Sequence, residues 1–166
     1  PNNWESEIIP FPLPFAPELD FSGVEDIRFS PGWSDSTSID FWSYTFVWNI
    51  EMIGLMSTEK LDQIFSAYYN GLMPAVLIEN EEIEYAESVG EASVSFEETE
   101  DGYQGTIEVF DSFFTKKRIT LYVKVTEFFC IETERQLIRN DVSLFFFAAP
   151  QWDAFEKVKI TADCER

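Results

Sequence analysis

The sequence predicts an α+β fold: an antiparallel β-sheet meander backed by one main helix and a short C-terminal helix. Three observations predict it. Rings are in excess, with 17 Phe, 6 Tyr and 5 Trp among 166 residues, and large rings bury much area while favouring strands over helices. Several segments alternate apolar and polar residues with a period of two, the signature of half-buried strands. One segment instead carries apolar residues at helical spacing with a capping residue before it. A hydrophobic fraction of 45% and this length suit one domain that buries roughly 70% of its unfolded surface.

Residues 1–20 are expected as an extended, proline-rich arm and 21–166 as a single α+β domain. Prolines at 10, 12 and 14 forbid helix and give no ladder donors. Phe11, Leu13 and Phe15 between them make the arm apolar, and it is expected to wrap over its own domain, with docking to a partner as the other reading.

Residues 24–30 form a short strand, broken by Pro31-Gly32 and followed by the polar loop 34–38. A strand is expected over 39–51, where Trp42, Tyr44, Phe46, Trp48 and Ile50 share one face. The helix is expected over 58–70. Ser57 or Thr58 caps it, and Leu61, Ile64, Phe65, Tyr68 and Leu72 form its buried stripe. Asn70-Gly71 supplies a left-handed stop and Pro74 prevents resumption. After the acidic stretch from Glu79 to Glu91 comes the meander. Val94 and Phe96 lie before an Asp101-Gly102 turn, Ile107 and Val109 after it, followed by strands over 118–129 and 137–148. Pro150 opens the closing helix with Trp152, Phe155 and Val158.

The charge is lopsided: 31 acidic against 11 basic residues, net −20, with no histidine. Without histidine the usual nucleophilic pairs, His-ligated zinc and proton shuttles are gone. No catalytic residue, metal site or cofactor is expected, and the chain reads as a non-enzyme. The acidic surface repels nucleic acid and suits a basic protein partner. No apolar run is long enough to span a bilayer, the strongest being 144–149. The chain starts at Pro1, and its polar opening fits a tether after a cleaved leader, so export to the periplasm or exterior is the expectation. Cys130 and Cys164 form a candidate disulfide in such a compartment; alternatively Cys130 is a small buried hydrophobe.

Trp42, Tyr44 and Trp48 either pack under the helix as core or line a pocket for a glycan or apolar ligand, and core is the favoured reading. Trp33, in a polar loop, is a candidate for surface recognition. Glu97, Glu98 and Asp101 cluster at a turn and are candidate contacts for a cationic partner. The basic trio Lys116-Lys117-Arg118 is expected to offset local repulsion or to bind a neighbouring carboxylate.

Pro31-Gly32-Trp33, the Trp42-to-Trp48 strand, the 58–70 helix and the run Phe147-Ala148-Ala149-Pro150-Gln151-Trp152-Asp153-Ala154-Phe155 carry a topological resemblance. In their order they resemble the PsbP/Mog1-type α+β fold and uncharacterised exported bacterial proteins. The resemblance implies a non-enzymatic accessory or binding protein. Two functions are therefore expected in order: an exported interaction protein with an acidic binding surface, then a small-ligand binder using surface or pocket aromatics.

Overall fold

Period-two alternation carries the chain into two antiparallel meanders that share one sheet. In the computed structural model, which describes residues 3–160, the first meander is β1 (Glu5–Pro10), β2 (Gly23–Phe29) and β3 (Tyr44–Glu51). The second is β4 (Ser93–Thr99), β5 (Gly102–Phe110), β6 (Arg118–Cys130) and β7 (Arg135–Ser143). They meet where β3 pairs β7, with Tyr44 opposite Val142 and Trp48 opposite Ile138. The seven-stranded order is β1-β2-β3-β7-β6-β5-β4. Helix α1 (Thr58–Glu79) crosses the sheet between the meanders, and the short α2 (Asp153–Glu156) closes the described chain.

Strand parity decides what each face meets. Phe46 and Trp48 turn towards α1, where their rings contact Phe65 and Tyr68. Across the ladder Ile27, Ile138, Val123 and Ile107 point the same way, and all are buried. The opposite parity carries Lys124 and Arg139. The Arg139 guanidinium donates to the carbonyls of Val158 (2.8 Å) and Phe155 (2.7 Å), and Lys124 sits 4.8 Å above the Trp152 ring. The two helical segments therefore cover opposite faces. Trp152, Phe155 and Val158 are buried as their pattern predicts.

Four boundaries differ from the sequence expectation, each for a local reason. Residues 5–10 are extended, but as an edge strand paired with β2, so the sheet begins inside the stretch expected as an arm. The following prolines then fold over α1, with Leu13 and Ala16 buried and Phe15 edge-on to Tyr68. The strand expected from 39 starts only at Tyr44, because Trp42 takes a left-handed φ of 59° and the preceding residues stack as turns bonded Phe41 to Ser38 and Ser43 to Asp40.

The helix runs past Asn70-Gly71 and contains Pro74. Gly71 is small for another purpose, since any Cβ there would overlap the Phe15 carbonyl. Proline inside a helix costs roughly 3 kcal/mol, which burial of Val76 and Leu77 beyond it offsets. The last strand ends at Ser143, not 148, because the Ser143 hydroxyl accepts the Phe145 N–H and Trp152 Nε1 donates to the Phe145 carbonyl. That turn leaves Phe146 62% exposed. Cys130 is buried at the end of β6, while Cys164, its candidate partner, lies outside the described residues.

Candidate functional site

A concavity of about 580 Å³ lies between the C-terminal half of α1 and the β1–β2–β3 end of the sheet. Each wall follows from a local pattern. Tyr68, Leu72, Val76 and Glu79 share one stripe of α1 and form the roof, with Ala75 beside them. Glu7 and Ile9 of β1, Glu25, Ile27 and Phe29 of β2, and Tyr44 of β3 share the inward parity and form the floor. Phe15 closes one side from the proline-rich stretch, and Trp33 with Phe113 closes the other from two loops. Trp33 is half-buried here, with ring centroids of Phe29, Trp42, Tyr44, Phe113 and Phe114 at 4.9–5.5 Å.

Glu25 sets the electrostatics. It is fully buried, between Ile9 and Trp48 on the ladder. Its Oε1 accepts the Trp48 indole N–H at 3.1 Å, whereas Oε2 has no hydrogen-bond partner. Burial raises its pKa from the ordinary 4.5 to about 7, against the partial offset of side-chain hydrogen bonding from Trp48 and Tyr68 and with a small push from the Glu7 charge. Glu7 and Glu79 are exposed and stand at the rim. Among the described residues no lysine or arginine lines the cavity. Arg28, the nearest cation along β2, alternates to the other face and pairs with Asp26. Burial also raises the pKa of the Tyr44, Tyr68 and Tyr69 phenols, and Tyr44 and Tyr69 share a 2.6 Å hydrogen bond.

The residues singled out from sequence fall in three places. Trp42 and Trp48 are fully buried beneath α1 and its flanking loops, and Tyr44 is 4% exposed. The ladder is core, though Tyr44 shows one edge to the cavity. Trp33 joins Tyr44 there instead of standing free on the surface. Glu97, Glu98 and Asp101 lie at the opposite edge of the sheet. Glu97 accepts from Gln104 at 2.6 Å. Glu98 and Asp101 border an acidic hollow of about 700 Å³ with Glu59, Glu100 and Glu127. Among the described residues no three acidic or sulfur side chains converge as a metal-holding group. In the basic trio, Lys116 pairs with Glu82 at 3.1 Å, and Arg118 donates to the Glu91 carbonyl at 2.9 Å.

Glu25, Glu7 and Glu79 escaped sequence reasoning, although a signal for each was present. Glu25 shares the parity of Ile27 and Phe29 in a strand that was expected. Glu7 shares the parity of Ile9. Glu79 continues the stripe of Leu61, Tyr68 and Leu72, a stripe that the expected helix stop at 70 cut short.

The fold and cavity together define an α+β protein with a ring-walled, acidic pocket at one end of its sheet. No protein-family model, no curated protein and no solved structure matches the chain.

Proposed function

We propose that this chain is a non-enzymatic binding protein that takes a small molecule with an apolar body into the cavity beneath α1. One observation carries the reading: a cavity of about 580 Å³ walled by rings and aliphatic side chains from the sheet, the helix and three loops. That volume falls within the roughly 300–1,000 Å³ of small-molecule sites, whose walls are mostly apolar with a few placed polar groups. The absence of histidine supports binding over turnover. An apolar body suits these walls better than a glycan, which needs many more hydrogen-bonding partners.

Trp33 lines the cavity and Trp48 is bonded to Glu25, so tryptophan emission is the natural readout. Naphthyl alcohols are expected to change that emission saturably. Ala75→Phe, which fills the cavity from the roof, is expected to abolish the change while thermal stability holds. A flat response of the wild-type protein across apolar and glycan panels would sink the proposal.

The succession of strands, helix, meander and closing helix is similar to the PsbP/Mog1-type fold, and a non-enzymatic accessory role in an exported setting is what that resemblance implies. A second reading is an interaction protein that meets a cationic protein partner. The carboxylate-lined hollow at the β4–β5 turn, on a chain of net charge −20, favours it. Such a complex should weaken steeply as salt rises from about 0.05 to 0.5 M. Binding that ignores salt over that range would remove the second reading.

A further inference from the structure

Three features of the cavity point to the same missing piece. Its only deeply buried charged group is Glu25, fully out of water, with one oxygen bonded to Trp48 and the other unpartnered. A buried polar group is ordinarily paired, and an orphan of this kind calls for a reason. The rim adds Glu7 and Glu79, and no basic side chain among the described residues enters the cavity. The surrounding rings, Phe15, Phe29 and Trp33 among them, present the π faces and edges that cradle an organic cation.

We propose that the cavity selects an organic cation, an ammonium group on an apolar or aromatic body, with the ammonium seated at the free oxygen of Glu25 and the body among the rings. The inference rests on the reading of this cavity as a ligand site and adds the charge of its ligand. The ammonium supplies the positive charge, and the donor at the second oxygen, that the fold withholds from Glu25. Glu7 and Glu79, exposed at the mouth, draw cations towards it. A neutral apolar ligand would fill the volume but leave the Glu25 oxygen as it is.

The selection should vary with pH. The groups facing Glu25 are Glu7 from β1, Tyr44 from β3, and Tyr68, Tyr69 and Glu79 from α1. The proline-rich stretch and the 113 loop contribute no titratable side chain to the cavity. With the Glu25 pKa raised to about 7 by burial, its carboxylate is present above that pH and takes a proton below it. The phenols stay neutral throughout, so cation binding should fade as pH falls through 7.

A matched pair of probes tests this on the full chain: 2-(1-naphthyl)ethylamine, an ammonium ion at neutral pH, and the isosteric alcohol 2-(1-naphthyl)ethanol. Affinities are read by calorimetry at constant ionic strength. At about pH 8.5 the amine is expected to bind roughly tenfold tighter than the alcohol, and at about pH 5.5 most of that advantage should be gone. Glu25→Gln, similar in shape, should bring the amine down to the level of the alcohol at the higher pH and remove the pH dependence. Alcohol binding that survives in Glu25→Gln shows that the cavity is still formed.

Equal affinities for the two probes in the wild type would overturn the cation inference and leave the ligand-site reading standing. So would an amine preference that survives Glu25→Gln but vanishes in Glu7→Gln/Glu79→Gln, since rim attraction would then be the whole effect. An alcohol preferred at the lower pH would mean that protonated Glu25 donates to a neutral ligand, and would also overturn it. Failure of both probes to bind at either pH would count against the cavity as a site at all.

Discussion

Two buried carboxylates in this chain face the same problem and meet it differently. Asp111 and Glu25 are each 0% exposed, and each accepts an indole N–H at 3.1 Å, from Trp42 and Trp48 respectively. Asp111 also accepts the backbone N–H groups of Phe113, Phe114 and Thr115 and the Thr115 hydroxyl, at 2.8–3.0 Å. Both of its oxygens are engaged, and the β5–β6 turn is wound around them. Glu25 has only side-chain donors, the Trp48 indole on one oxygen with Tyr68 nearby, and its other oxygen has no partner. Burial therefore does not separate a structural carboxylate from one that awaits a ligand; the supply of donors does. Where the chain folds its own N–H groups around the charge, it has built a turn. Where the charge is buried in the wall of a cavity with one oxygen unpartnered, the donor must come from outside.

The contrast is broken most directly at Asp111. Asp111→Ala leaves three backbone N–H groups and the Trp42 indole without their acceptor in a buried turn. Each unpaired buried donor costs about 1–3 kcal/mol, with some recovered by water entering the turn, so a loss of about 4 kcal/mol is expected in urea denaturation. A loss below about 1 kcal/mol would mean that the turn holds itself without the carboxylate, and the structural half of the comparison would fail.

The sheet was legible in the sequence wherever one face is buried and the other is wet. The alternation of Ile107 and Val109, or of Leu121, Val123 and Val125, predicts both the strand and its inward side because a slip of one residue would expose the whole apolar set. The helix start was legible to within a residue, since of the two candidate caps it is the Ser57 hydroxyl that accepts the Lys60 N–H. Its end was not. Gly71 carries the usual mark of a terminus, yet it serves the close approach of the Phe15 carbonyl, a contact between residues 56 positions apart that no local pattern contains.

The cavity inherits that blindness. Apart from Tyr68 its roof is the part of α1 beyond Gly71, and one side wall is the proline-rich stretch that packs there. Trp33 is legible as a loop tryptophan, but its place in the wall depends on five rings, of which Phe113 and Phe114 come from a distant turn. Glu25 was passed over because its charge suggested solvent, although its parity pointed inward. A carboxylate among inward-facing apolar residues of a strand is the signal that sequence reasoning can use. Asp111 shows its limit, because the donors that satisfy it appear only once the turn has formed.

The smaller effect is expected at Glu25, and its sign is the reverse of that at Asp111. Burial raises the pKa of this group from 4.5 to about 7 in the folded chain, so the folded state holds the proton more tightly than the unfolded one. Whatever stability that proton confers is fully present below about pH 4.5 and is lost as pH rises through 7. A shift of this size amounts to about 3 kcal/mol at one unit per 1.36 kcal/mol, part of which any polar replacement still forfeits by burying an unpaired amide. Glu25→Gln should therefore unfold about 2 kcal/mol harder than the wild type at pH 8.5 and without advantage at pH 4. Destabilisation by Glu25→Gln at pH 8.5, comparable in sign to Asp111→Ala, would show that the folded chain already satisfies the Glu25 charge. The two carboxylates would then be two versions of one structural device. A gain that appears with rising pH, and that an added naphthylethylammonium reduces by stabilising the wild type more than the variant, would mark Glu25 as the charge this fold leaves for its ligand.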